Sequence, residues 1–113
     1  MIVQKLKKVD GDRYCFAERY YGILSSLNSL SLTNREIQLV AYAAIHGSIS
    51  YAHVKADFCK KYDTSIQTIY NMVFRLMKKK VFIKDNGKIK VNPVIVLKFD
   101  DVIKLEIILS YGR

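Results

Sequence analysis

Residues 64–91 read TSIQTIYNMVFRLMKKKVFIKDNGKIKV, and a change of period inside this stretch decides the fold. In its first part Ile66, Ile69, Tyr70, Val73, Leu76 and Met77 recur at three- and four-residue steps. That is the inner side of an amphipathic helix running to about residue 80. Thr64-Ser-Ile-Gln67 in front of it reads as a capping box. From Val81 the period becomes two, with Asn86-Gly87 at the bend of a hairpin. A two-residue loop would pair Ile83 with Lys90 and mix the faces. A three-residue loop, Asp85-Asn86-Gly87, pairs Ile83 with Ile89 and Val81 with Val91, with Gly87 supplying the left-handed residue that such a loop needs. The expectation is therefore a type I turn with a glycine bulge, one apolar face, and Lys84, Lys88 and Lys90 together on the other.

Upstream, Thr33-Asn-Arg-Glu36 is a second capping box. It is followed by the stripe Ile37, Val40, Ala41, Ala44, Ile45, and Gly47 ends that helix. Ser50 is placed to cap a further helix over residues 51–62 that buries Val54 and Phe58, with Asp63-Thr-Ser as the turn. Residues 17–27 are helical, with Tyr20, Ile23, Leu24 and Leu27 at the right steps. Residues 2–16 read as two short strands around Asp10-Gly11, although Ile2, Leu6 and Val9 equally sit at helical spacing. Beyond Pro93, residues 94–99 read as a strand. Residues 102–109 alternate like a second one after an Asp100-Asp101 turn, and an aspartate at a helix start is equally natural there.

The order helix, helix, turn, helix, basic hairpin is that of a winged helix-turn-helix. The expected fold class is α+β: a winged helix-turn-helix core over residues 32–92, three helices plus a hairpin wing. A hairpin-and-helix extension precedes it over residues 1–31, and strands follow over residues 93–113, all in one domain of 113 residues. Leu32-Thr33-Asn34-Arg35-Glu36 resembles the LTxRE opening of response-regulator helix-turn-helix domains, and Ser65-Ile-Gln-Thr68 with Ile69 resembles the start of their recognition helix. The second helix is longer here, and a hairpin follows where those domains place a fourth helix. The wider resemblance is thus to the winged-helix superfamily. The flanking segments are similar to small proteins of crAss-like phages of Bacteroides-type hosts.

Charge points the same way. Lysine and arginine number 19 against 10 acids, a formal net charge of +9. Residues 55–90 carry ten bases and three acids, so nearly the whole excess lies in that one stretch. A bias of this kind favours a polyanionic partner. On the outer face of the helix after Asp63, Gln67, Asn71, Arg75 and Lys78 fall together, with Ser65, Thr68 and Lys79 alongside and no acid among them. Amides bond adenine edges, arginine bonds guanine, and hydroxyls and lysines suit phosphates. The candidate DNA-binding residues are these seven together with Lys84, Asn86, Lys88 and Lys90 of the wing. Tyr70 stands near enough to touch a sugar-phosphate, and Phe74 and Met72 flank the face as a landing site for a protein.

Other chemistries find little footing. His46, His53, Asp57 and Cys59 are the one cluster of ligand types, and they lack CxxC or HxxxH spacing. No Gly-rich phosphate loop, Ser/His/Asp set or pair of inward carboxylates stands out, so neither an enzyme, a metal nor a cofactor is expected. His46 reads as a cation or donor at its helix end. Cys15 and Cys59 read as reduced, core or half-buried thiols of a cytosol-like compartment. No apolar run reaches the roughly 18 residues that span a bilayer. The partners expected are double-stranded DNA and, through the apolar strands near residues 94–109, a second copy of the chain, with a protein partner as the alternative. Expected localisation is cytoplasmic, in a bacterium or phage-infected cell, or within a virion.

Overall fold

The helix announced by Thr33 and Glu36 is the hub of the molecule. In the computed structural model, which describes residues 12–95, the chain is α+β: four helices and a two-stranded antiparallel hairpin. The order is α1 (Arg13–Leu27), α2 (Asn34–His46), α3 (Ala52–Tyr62), α4 (Ile66–Lys78), β1 (Phe82–Asp85) and β2 (Lys88–Val91), closed by a 3-10 turn at Pro93–Ile95. Thr33 and Glu36 form the expected reciprocal cap, and Gly47 ends α2 in the left-handed conformation at φ 85°. Instead of one buried stripe, α2 buries five consecutive residues, Leu39 to Ala43, because neighbouring elements pack around it.

Several boundaries differ from the sequence reading. Residues 13–16 are helical rather than extended, because Asp12 caps α1, accepting the N–H groups of Tyr14 and Cys15 at 3.0 and 3.1 Å. The strand expected to start at Val94 does not: residues 94 and 95 belong to the 3-10 turn that Pro93, with its fixed φ, begins. The rest of the expected Asp10-Gly11 hairpin, residues 96–99 of that strand and the strand expected over residues 102–109 lie outside the described residues. α1 docks through Ala17, Tyr21 and Ser25, a stripe shifted from the predicted Tyr20, Ile23, Leu24 and Leu27. Cys59 is half-buried, within the expected core or half-buried setting, whereas Cys15 is exposed on the first turn of α1.

Ser50 does not cap α3. Its hydroxyl accepts the N–H of Ile89 at 2.8 Å, and Tyr51 stands at the cap position without its side chain capping the helix. The same short segment holds β2 twice more: the Ile49 N–H and the Ser48 hydroxyl both donate to the Ile89 carbonyl, at 3.0 and 2.8 Å. The cap of α4 is Ser65, one residue later than expected, accepting the Thr68 N–H.

α4 ends in a Schellman turn. Lys80 adopts a left-handed φ of 64°, the Val81 N–H reaches the Leu76 carbonyl and the Lys80 N–H that of Met77. This turn buries Val81 before any strand begins, and it sets the hairpin register. Phe82 pairs with Val91, Ile83 with Lys90, Lys84 with Ile89 and Asp85 with Lys88. The loop is therefore the two-residue Asn86-Gly87, with both φ values positive (51° and 77°) as a type I′ turn requires. The three-residue loop would have turned Phe82 outward. Burying that ring outweighs burying Ile83, and the tight loop wins. Lys84 consequently shares a face with Phe82, Ile89 and Val91, while Lys88 and Lys90 lie on the other.

At the far side of the bundle α1, α2 and α3 meet in a ring cluster. Tyr14 stacks on Tyr42 with centroids 5.0 Å apart, and its hydroxyl shares a hydrogen bond with His46 Nε2 at 3.0 Å. The Lys61 ammonium stands 3.4 Å from the centre of the Tyr14 ring. Of the two roles expected for His46 at its helix end, cation or donor, half-burial disfavours the cation. Burial pushes its pKa below the ordinary 6.5, outweighing the opposite pull of Asp57. Burial also raises the Tyr42 hydroxyl to about 12.

Candidate nucleic-acid interface

α4 turns Ile69, Met72, Val73 and Leu76 into the core. The residues 180° away on its surface define the candidate interface. Ile66 and Tyr70, assigned by periodicity to the inner side, are exposed, and Met72, assigned to the flank, is buried. Both errors have one origin: the packed stripe of α4 is centred between Ile69 and Leu76, so everything shifts round by about half a residue position.

Gln67, Asn71, Arg75 and Lys78 are all exposed on this surface, and α4 contains no acidic residue. They are not independent side chains. Gln67 Nε2 donates to Asn71 Oδ1 at 3.2 Å, one turn along. Arg75 Nε donates to Glu36 Oε2 at 3.3 Å, while its side chain stays 52% exposed. Glu36 itself is 2% exposed. Burial pushes its carboxyl upward, but the Thr33 N–H, the Thr33 hydroxyl and the Arg75 guanidinium together hold its pKa below the usual 4.5. A buried carboxylate of α2 thereby sets the base of Arg75 on α4. Ser65 and Thr68 hydroxyls lie 2.9 Å apart at the helix start, engaged in the cap.

Lys79 leaves this group. Its ammonium donates to the carbonyls of Leu30 and Ser31 in the α1–α2 loop, at 2.8 and 3.5 Å. In the hairpin Lys90 pairs with Asp85 at 2.6 Å, and Lys88 donates to the Tyr51 hydroxyl at 2.6 Å with its ammonium 4.7 Å from that ring's centre. Lys84 and Asn86 are exposed. The three wing lysines are therefore divided between two faces rather than aligned on one.

Two features escaped the sequence reading. Phe74, placed on the flank, sits in the middle of the outward face and is 62% exposed. Seven residues of helix carry it to within about 20° of Gln67, so the helical wheel held that signal. The Lys78 ammonium lies 4.7 Å from its ring centre. Beside it Tyr70, 52% exposed, receives Lys55 from α3 at 5.1 Å. The Glu36–Arg75 contact spans 39 positions and leaves no mark in local sequence.

His53 and Asp57 are exposed, and among the described residues no three His, Cys, Asp or Glu side chains gather as a metal site requires. No helix among them is long and apolar enough to cross a membrane. Comparison of the chain with family models, curated proteins and solved structures gave no match.

Proposed function

We propose that the protein binds double-stranded DNA as a winged helix-turn-helix, with α4 in the major groove and the β1–β2 hairpin as the wing on the backbone. The observation that carries this reading is the outward face of α4. Gln67, Asn71, Arg75 and Lys78 stand exposed on it together, and the helix has no acid to repel phosphate. The layout supports it: α2, the β2-bonded segment at residues 48–50, α3, α4 and hairpin follow one another in the order of such domains. In this reading the protein is a non-enzymatic, small transcriptional or replication regulator of a phage or mobile element. It works as a homodimer, needs no metal or cofactor, and acts in the cytoplasm of a bacterium or infected cell.

One observation favours a second reading. Phe74 and Tyr70 are large exposed rings, and such groups often seat a protein. The protein would then be an assembly or inhibitory component, virion-associated for instance, since one fold serves either end. A mobility-shift titration with genomic and random duplexes at two salt concentrations separates the two. DNA binding predicts affinity that falls steeply with salt. Arg75→Ala and Asn71→Ala should each weaken the preferred site by about 1–3 kcal/mol, and random duplex less. Absence of any salt-dependent shift leaves the protein-binding reading.

A further inference from the structure

An exposed phenylalanine at the centre of a cationic, amide-bearing helix face is an odd neighbour for phosphates, and its surroundings restrict what it can meet. Gln67 and Asn71 are joined through Gln67 Nε2 and Asn71 Oδ1. The bond leaves an acceptor on Gln67, its Oε1, beside a donor on Asn71, its Nδ2. In the major groove adenine offers a donor, N6–H, beside an acceptor, N7, and so complements the pair. Guanine offers two acceptors, and one of them would face the Gln67 oxygen. Phe74 follows Asn71 by three residues and Gln67 by seven, on the same side of the helix. The apolar group that an A·T pair presents in that groove is the thymine 5-methyl.

We infer that α4 prefers A·T-containing duplex, with the Gln67–Asn71 pair reading adenine and the Phe74 ring covering a thymine methyl. The inference rests on the DNA-binding reading and sharpens it to a class of sequence. Lys78 fits the same picture. With its ammonium 4.7 Å from the ring centre, it occupies one face of Phe74 and holds a charge at the height of the groove wall. A ring so covered is a poor platform for stacking an unpaired base, and a good edge against a methyl. Charge complementarity selects the occupant. Lys78 lies over the Phe74 ring, Lys55 over the exposed Tyr70 ring of the same helix, and the half-exposed Arg75 follows Phe74 directly, whereas an apolar protein surface would leave those cations desolvated.

The test uses the full chain and four 20-base-pair-scale probes, read by fluorescence anisotropy: alternating dA·dT duplex, the same duplex with deoxyuridine replacing thymidine, alternating dG·dC duplex, and single-stranded oligo-dT. Removing the methyl should weaken the wild type about fourfold per reading helix, and dG·dC should bind more weakly than dA·dT. Phe74→Ala should bind the thymine and uracil duplexes alike, while Phe74→Leu, still apolar, keeps most of the ratio. Comparing ratios across variants cancels any change that uracil makes to duplex shape. Circular dichroism verifies that each variant is folded. Equal binding of wild type to thymine and uracil duplexes overturns the methyl contact, as does an undiminished ratio in Phe74→Ala. Tighter binding to oligo-dT than to duplex overturns it in favour of base stacking. Binding to no duplex at all overturns the DNA-binding reading itself, a result distinct from the other three.

Discussion

One carboxylate, that of Glu36, joins two helices. Its Oε1 accepts the Thr33 N–H and its Oε2 the Arg75 guanidinium. The first bond is local and is readable as a capping box. The second depends on how α2 and α4 cross, which no window of sequence contains. Substitutions should separate them. Glutamine keeps the cap and loses the charge, so Glu36→Gln is expected to cost about 0.5–1 kcal/mol, because Arg75 is half in water and its ion pair is screened. Glu36→Ala loses both, and urea denaturation should show about 1–2 kcal/mol. The pH dependence follows from the lowered pKa. The folded state holds the charged form more firmly than the unfolded chain does, so this contribution is present above the unfolded value of 4.5 and is lost as pH falls through the lower folded value. Wild type and Glu36→Gln should therefore converge in stability on acidification. A constant gap would show that the carboxylate charge is irrelevant to the fold.

At the scale of elements, what was legible is what local chemistry fixes. Thr33, Glu36, Gly47 and the Asn86-Gly87 bend act on their own neighbours and appear where their residue types place them. The hairpin register was not legible. Phe82 and Ile83 compete for the inward face of the strand, and the contest is settled by the turn that ends α4, which buries Val81 by itself. Ser50 misleads for a similar reason, its hydroxyl being claimed by Ile89 across 39 positions. Two predictions belong here. Lys80 holds a left-handed conformation that suits glycine, so Lys80→Gly should raise stability by about 1 kcal/mol in thermal melts, while Gly87→Val should lower it by a similar or larger amount. Neutralising the wing lysines one at a time should flatten the salt slope of DNA binding by about 0.9 for each phosphate no longer neutralised. Because Lys84 lies on the opposite face from Lys88 and Lys90, the two groups should differ, and the group with no effect marks the face turned away from DNA.

At the scale of the molecule, the ring cluster around Tyr14 ties α1 to the remainder. Tyr14→Phe keeps the stacking and loses the bond to His46, at an expected cost of about 1 kcal/mol. His46 favours its neutral form in the fold, so its contribution is complete above pH 6.5 and declines as pH falls through the lower folded value. Melts at about pH 7.5 and about pH 5.5 in wild type and His46→Gln measure that contribution. For the proposed homodimer, sedimentation at micromolar concentration should give roughly twice 13.1 kDa, and a clean monomer with and without DNA refutes it.

The three bonds that converge on Ile89 from Ser48, Ile49 and Ser50 have a consequence for motion. A two-stranded ribbon by itself opens readily. This one is clamped to the body of the protein at Ile89, one residue pair short of the turn, so its amides should divide into two populations in hydrogen–deuterium exchange. Those of Ile49 and Ile89 should exchange only when the whole domain unfolds. Those of Asn86 and Gly87 should exchange at once. The wing is then a rigid lever with a soft tip, carried wherever the helices carry it and compliant only over its last few residues.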